Sequence, residues 1–441
     1  MMNYTRVKKY FLLTLSFLSL CAFSAQGNNV FNAESNMIIR PEDESYKLTI
    51  SSGSIYQIAL DTKNKLVYAS WGYRLGKNPV AGILAFDIDS LNPKGVIKDI
   101  RDVYSIDYDE RNNRLLAEHT VSRKTDCGEI LIGNSFDVIG LNNGEKIIDT
   151  VVVDKGKTER SYFNSHYIFG LPNGNIALSS ESSPRTGGPE NMQRVTMYNS
   201  TGHELWQSKP FPGLVATLIS GEKILAGANE LYEISMDDGR VNDSPYSFKA
   251  VNDEARYMSL VQGDGVIYAT SFYHGNKNKV NIDKGKYKNI YVIEKGKAAK
   301  GFSTVSFNDS FGTGSTGITY NYEMKQLYTA NFNDGSISII NTDNARDLND
   351  YVNVKIKGAW GVNSVVYRNN DNKTDIYVSI KGGHGENVKK TEESDDVKLA
   401  KLTIDEGIWG ASPWCKISIL DIKSDTYDQK DEDCVIVRNN N

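Results

Sequence analysis

Apolar and polar residues alternate with period two along most of the chain, in short runs bounded by Asn, Asp, Gly and Lys. Alternation of this kind predicts half-buried β-strands, and the 3.6-residue period of an amphipathic helix is nearly absent. The clearest instance is "LYTANFNDGSISIIN" (327–341), two strands around a polar loop, closed by Asn. Looser copies are "KLVYASWGYRLGKNPVAGILAFDID" (65–89), "RLLAEHTVSRKTDCGEILIGNSFDV" (114–138), "NIALSSESSPRTGGPENMQRVTMYN" (175–199) and "KILAGANELYEIS" (223–235). Two more are "VIYATSFYHGNKNKVNIDKGKYKNIYVIE" (266–294) and "DIYVSIKGGHGEN", which runs on to "KISILDI" (375–422). Their anchors, Tyr68, Leu116, Leu178, Leu225, Tyr268, Tyr328 and Tyr377, follow one another at 43 to 62 residues. Each anchor is preceded by another apolar run, such as "IYQIALD" or "GITYNY", and most copies end in a fourth, such as "KIIDTVVV" or "VNVKIK". A unit of four strands repeated at this spacing cannot bury both faces alone, so its neighbours must stack on it and the circle must close. The expectation is an all-β chain: a seven-bladed β-propeller of four-stranded antiparallel blades.

The opening stretch resembles the YVTN-type propeller repeat, with Tyr328, Asn331, Gly335 and Asn341 at the Tyr, Asn, Gly and Asp positions of that motif. "LVYASWG" in the first copy matches it too, and elsewhere the resemblance is architectural, with longer loops. The whole layout is similar to the YncE-like exported bacterial propellers. That resemblance implies a periplasmic propeller without established catalysis, linked to single-stranded DNA binding and iron-regulated expression.

The N-terminus departs from the strand pattern. Arg6, Lys8 and Lys9 precede an apolar run over 10–23 and then "AFSAQG", which reads as a secretory signal peptide cleaved after Ser24 or Ala25. The run is shorter than a membrane span, and Cys21 follows Leu20 rather than the small residue a lipoprotein signal needs. The expected organisation is a signal peptide over 1–25, an extended arm over 26–43, and a single propeller domain over 44–441 with an insertion at about 385–414. Localisation is then periplasmic or secreted, in an oxidising compartment. Cys415 and Cys434 flank the last strands and are the default disulfide, and pairing through Cys127 is the alternative. For the strand that closes the ring, 47–50 and "CVIV" (434–437) compete. The formal net charge of −5 lacks the dominant Lys/Arg footprint of a protein built mainly to coat nucleic acid.

In a propeller the loops after each anchor converge on one face. They supply Trp71, Tyr73 and Arg74 from the first copy, His119 and Arg123 from the second, and Arg185 from the third. Tyr273 and His274 come from the fifth, Phe332 from the sixth and His384 from the seventh, and the connection residues Arg256 and Trp360 join the same rim. Aromatic and cationic side chains gathered on one face suit stacking and charge contacts with a polar, anionic ligand. The plainer explanation, ordinary polar loops on a surface, accounts for each residue taken singly.

Catalytic signatures are missing: there is no GxSxG, and "GTGSTG" (312–317) lacks a P-loop Lys and reads as a blade connection. Asp107 and Asp109 alternate at the end of a strand and read as solvent-facing turn formers. His119, His274 and His384 come from different copies without HxH or HxxxH spacing, so neither a metal nor a cofactor is expected. The leading reading is an exported, non-enzymatic, monomeric propeller that binds a ligand or macromolecule on its loop-rich face. Candidate partners are an anionic ligand, single-stranded DNA, or an envelope or host protein. The alternatives are a propeller enzyme, such as a lactonase-like hydrolase or a metal- or quinone-dependent oxidoreductase, and a surface protein–protein interaction module.

Overall fold

The structure is a computed structural model. It describes residues 38–39, 54–72, 81–101, 103–124, 130–141, 146–152, 163–182, 192–213, 216–227, 230–244, 246, 256–273, 288–306, 313–332, 334–344, 347–357, 359, 361–380, 397–409, 413–422 and 427–438. Nearly all of it is antiparallel strand, and within each ladder the strands pair in chain order.

The first sheet orders Ser54–Asp61, Leu66–Gly72, Ala81–Asp87 and Pro93–Arg101 from one edge, with Ile38–Ile39 added outside. The second holds Val103–Asp109, Arg114–Lys124, Ile130–Gly140 and Lys146–Val152. The third holds Phe163–Gly170, Ile176–Ser182, Met192–Tyr198 and Glu204–Gln207, with Phe211–Pro212 also on Met192–Tyr198. Ala216–Ser220, Lys223–Gly227, Leu231–Ser235 and Val241–Asp243 make the fourth. A nine-stranded sheet follows. It is two ladders of four strands, Arg256–Gln262 to Lys300–Phe302 and Thr313–Asn321 to Tyr351–Lys355, zipped where Phe272 and Tyr273 pair with Gly314 and Thr313, with Val435–Arg438 added as the ninth strand. Val362–Asn370, Lys373–Ile380, Val397–Asp405, Cys415–Ile422 and Tyr427–Asp433 make the last sheet.

Local chemistry explains the hairpins. The turn from first to second strand of every ladder carries one residue in the left-handed region: Lys65, Asn113, Gly174, Gly221, Gly265, Lys325 and Asp371. In three of them an Asx side chain at the end of the first strand accepts a turn N–H: Asp61 from Asn64, Asp109 from Asn112 and Asn321 from Met324. That bond stabilises a tight reversal, as Asx turns do. Among the described residues burial peaks in the second strand of a ladder and falls toward the outer edge. Gln326–Asn331 is buried at every position, whereas Tyr351–Lys355 alternates and Glu204–Gln207 is largely exposed. Inner strands covered on both faces therefore read as near-continuous apolar runs, and outer ones as alternating.

The core lies between ladders. Ala59, Tyr68 and Ile83 pack with Ile106 and Leu115, and Leu116 and Phe136 with Ile168 and Leu178. Ala177 and Met197 meet Ile224, Leu225 meets Ile267 and Tyr291, and Tyr268 meets Tyr320 and Leu327. Tyr328 and Ile339 meet Val365 and Val378, and the last sheet returns to the first where Tyr377, Leu399 and Leu420 pack on Ile58, Val67 and Phe86. First and last sheets are therefore neighbours.

Three expectations change. Val435–Arg438 pairs with Tyr351–Lys355, outside the last sheet, whose five strands all come from 362–433; residues 47–50 lie outside the described residues. The span expected as an insertion, 385–414, contains Val397–Asp405, an integral strand paired on both sides. Thr313–Asn321 is a strand rather than a flexible connection. Gly314 is required there, because its φ is +143° and a Cβ would lie 2.3 Å from the Ser271 carbonyl oxygen across the zipped seam.

Candidate functional site

At six of the seven junctions the first strands of neighbouring ladders lie side by side; Ser54–Asp61 touches both Val103–Asp109 and Val362–Asn370. Six of these strands slip register near their start, between Ile55 and Ile58, Val103 and Ser105, Ser165 and Tyr167, Tyr257 and Ser259, Ser315 and Gly317, and Val362 and Ser364. Such bulges re-aim side chains and sharpen twist. Here the freed side chains reach the neighbouring ladder in one rotational sense. Ser259 donates to the Thr316 carbonyl (2.7 Å), Thr316 to the Asn363 carbonyl (2.9 Å), and Asn363 to the Tyr56 carbonyl. Gln57 then accepts from the Ile106 N–H (3.2 Å), and Ser105 from the Ile168 N–H (3.1 Å). The fourth ladder, without a bulge, is tied by Gln193 donating to Ser179 and Thr217 at 2.8 and 2.9 Å. These polar residues hold the circle together.

Aromatic groups occupy the same end of the first strands. The rings of Tyr56 and Tyr104 lie 5.0 Å apart across the first two ladders. The Tyr167 hydroxyl, raised in pKa by burial and by the Glu181 charge, hydrogen-bonds Ser259 two ladders away, which opposes the shift. Phe272 and Phe332 meet edge to face at 5.4 Å. Sequence reasoning missed Tyr56, Tyr104 and Tyr167, because a bulge leaves no mark in an alternating pattern.

The expected rim residues divide into two groups. Trp71 pairs with Ile55, His119 with Val103 and Ser135, Arg123 with Leu131, Arg256 with Phe272, and Tyr273 with Thr313. All five positions, with Phe332, stand at the bulged end. Arg123 lies on a two-stranded extension in which Arg114–Lys124 and Ile130–Gly140 run on past the first strand. Tyr73, Arg74, Arg185, His274, Trp360 and His384 lie outside the described residues. Cys415 and Cys434 form the expected disulfide.

Two buried polar arrangements belong to the framework. Asn289, Ser315, Asn331, Ser338 and Thr304 form a closed circuit of side-chain hydrogen bonds of 2.7 to 3.0 Å. Tyr328 and Asn331 are fully buried. The Tyr and Asn of the repeat motif are thus structural. Glu118 is fully buried and neither carboxylate oxygen has a hydrogen-bond partner, so burial pushes its pKa well above the usual range. Asp109 forms its turn through the Asn112 N–H but is buried rather than solvent-facing, and Asp107 is half-buried and caps a neighbouring strand instead of forming a turn. Asp109 is buried on Arg114 (2.8 Å), and Asp107 accepts the Gly170 N–H at 2.7 Å.

Among the described residues no cluster of three or more His, Cys, Asp or Glu could hold a metal ion. No helix is long and apolar enough to cross a membrane. No protein-family profile matches the chain, and no curated protein matches its sequence. Among solved structures, hydrazine synthase of Kuenenia stuttgartiensis aligns over 79% of this chain and 96% of its own, at 12% identity and a TM-score of 0.53. The fold is a β-propeller. The propeller is also similar to the Cps50 (Swd1) beta-propeller domain of Myceliophteria thermophila, at 11% identity over 74% of this chain and 93% of that one, with a TM-score of 0.46. A putative 6-phosphogluconolactonase from Bacteroides uniformis aligns over 88% of the propeller chain and all of its own, at 11% identity and a TM-score of 0.47. Likeness at these identities concerns the fold alone.

Proposed function

We propose that this protein is an exported seven-bladed propeller of the YVTN, YncE-like kind that binds an anionic macromolecule, single-stranded DNA in the first instance, on its bulged face. What supports this reading is the strand register, which puts the backbone positions of Trp71, His119, Arg123, Arg256 and Tyr273, with Phe332, toward the end of the ladders where Tyr56 and Tyr104 pair. Aromatic faces accept bases of any sequence, and cationic rim residues neutralise phosphate. Seven inter-ladder clusters support the blade count, and the signal-like N-terminus together with the Cys415–Cys434 disulfide supports export.

The test is binding of a labelled oligothymidine by fluorescence anisotropy over a range of salt. Affinity should fall with salt, and replacing Arg74, Arg123 and Arg185 together with Ala should weaken it at least about tenfold and flatten the salt slope. Unchanged binding in the triple variant removes these residues from the account.

A further inference from the structure

The C-terminal strand belongs to a ladder that its chain neighbours do not. Tyr427–Asp433 ends the last sheet, and after the single residue Cys434 the chain crosses to Tyr351–Lys355, the outer strand of the preceding ladder. There Val435–Arg438 pairs at four positions, from Val352 with Arg438 to Lys355 with Val435. Its hold on the core is slight. Only Ile436 faces the cluster between the two ladders, while Val435 and Val437 are 59% and 47% exposed. The Arg438 guanidinium adds a contact to the Ile408 carbonyl at 3.5 Å.

At the crossing stands the disulfide. Cys415 opens the fourth strand of the last sheet, Cys434 is the crossing residue itself, and both are half-buried against the same apolar cluster. A four-residue edge strand with one half-buried side chain sits at the low end of local stability, and the covalent tie stands at its root. The staple joins the strap to the sheet it has just left, at the point where the strap departs.

We propose that the Cys415–Cys434 bond is a redox clasp: a dithiol reductant releases Val435–Arg438 and opens the edge of Tyr351–Lys355. One thiolate of the reductant attacks a protein sulfur, and its second thiol resolves the mixed disulfide. The reductant leaves as a disulfide, and its two electrons and two protons remain as two protein thiols. Release uncovers the main-chain N–H and C=O groups of Tyr351–Lys355 now held by the strap, together with the apolar rim behind Ile436. The ladders should stay folded, because their clusters and pairing lie inside the strap.

Hydrogen exchange of the full chain, with and without dithiothreitol, tests this. Reduction should speed exchange about tenfold or more in 351–355 and 435–438 and leave 326–331 unchanged. Replacing both cysteines with Ser should reproduce that pattern without reductant. Equal protection in reduced and oxidised protein would overturn the proposal, since packing alone would then hold the strap. Faster exchange throughout all ladders would overturn it equally, because the bond would then staple the whole fold.

Discussion

At the scale of single residues, the polar groups on the first strands show how position decides chemistry. Ser105 and Asp107 alternate on one strand and both accept backbone N–H groups of the next ladder, from Ile168 and Gly170. Burial is the largest cause lifting the Asp107 pKa to about 6, aided by the charge of Asp109 and opposed by the Gly170 N–H. The folded state therefore holds that proton more tightly than the unfolded chain, where the group titrates near ~3.9. The contribution to stability is present at acid pH and is lost as pH rises from about 4 to about 6. Asp107→Asn keeps an acceptor for the Gly170 N–H and removes the titration. It should flatten that part of the pH profile and raise stability near neutral pH by about 1–3 kcal/mol. Urea unfolding on either side of the window checks this, and a variant with the wild-type slope would clear Asp107. Nothing in "VYSIDYD" distinguishes a capped carboxylate from an exposed one, since the group it caps is some sixty residues away in the chain.

At the scale of elements, the two zipped ladders share a buried polar circuit. The circuit through Asn289, Ser315, Asn331, Ser338 and Thr304 is buried and closed, with Asn353 joined to it through Ser338 and the Thr304 carbonyl. Such a network is stabilising only while each member keeps its partners. Asn331→Ala strips partners from Ser315, Ser336 and Ser338 together. It should cost about 2–4 kcal/mol, read as a lower denaturation midpoint with an unchanged slope. A loss under about 0.5 kcal/mol, ordinary for a surface change, would mean that the circuit carries little. The repeat motif was visible in the sequence at this place, but its role was not. Tyr328 and Asn331 could belong to a ligand or to a core, and only their complete burial assigns them to the core.

Across the whole molecule, the last sheet packs directly on the first, while Val435–Arg438, one of the two segments expected to close the ring, lies on another ladder. Tyr377, Leu399, Leu420 and Ile422 pack on Ile58, Val67, Phe86 and Leu91. Outside them Arg368 bridges Asp375 at 2.7 Å and Asp89 at 2.6 Å, and the Tyr377 hydroxyl donates to the Ile88 carbonyl at 2.8 Å. Burial opposes the charge on Arg368, and its bonds to Asp375 and Asp89 outweigh that and raise its pKa. Removing one partner of a buried pair leaves the other charge uncompensated. Arg368→Ala should therefore destabilise the entire chain in a single transition, by roughly 3 kcal/mol. Removing Lys94 from its half-exposed pair with Asp87 should change stability by less than about 1 kcal/mol. Tryptophan fluorescence during chemical unfolding reads both, and equal effects would show that this junction is no special point of closure.

The alternating pattern by itself determined the strands, their antiparallel succession and the turns, because period, turn residues and burial on two faces act within a few residues of chain. It also brought Cys415 and Cys434 together, since both border the last strands. It did not determine the strand number of each sheet, which is five in the first, third and last. The tertiary structure alone decided the bulges, the tyrosines they place at one end, the partner of each buried carboxylate, and the crossing of Val435–Arg438 onto another ladder. Each of these is settled by a neighbour distant in sequence, and a local pattern carries no record of which distant backbone will lie beside it.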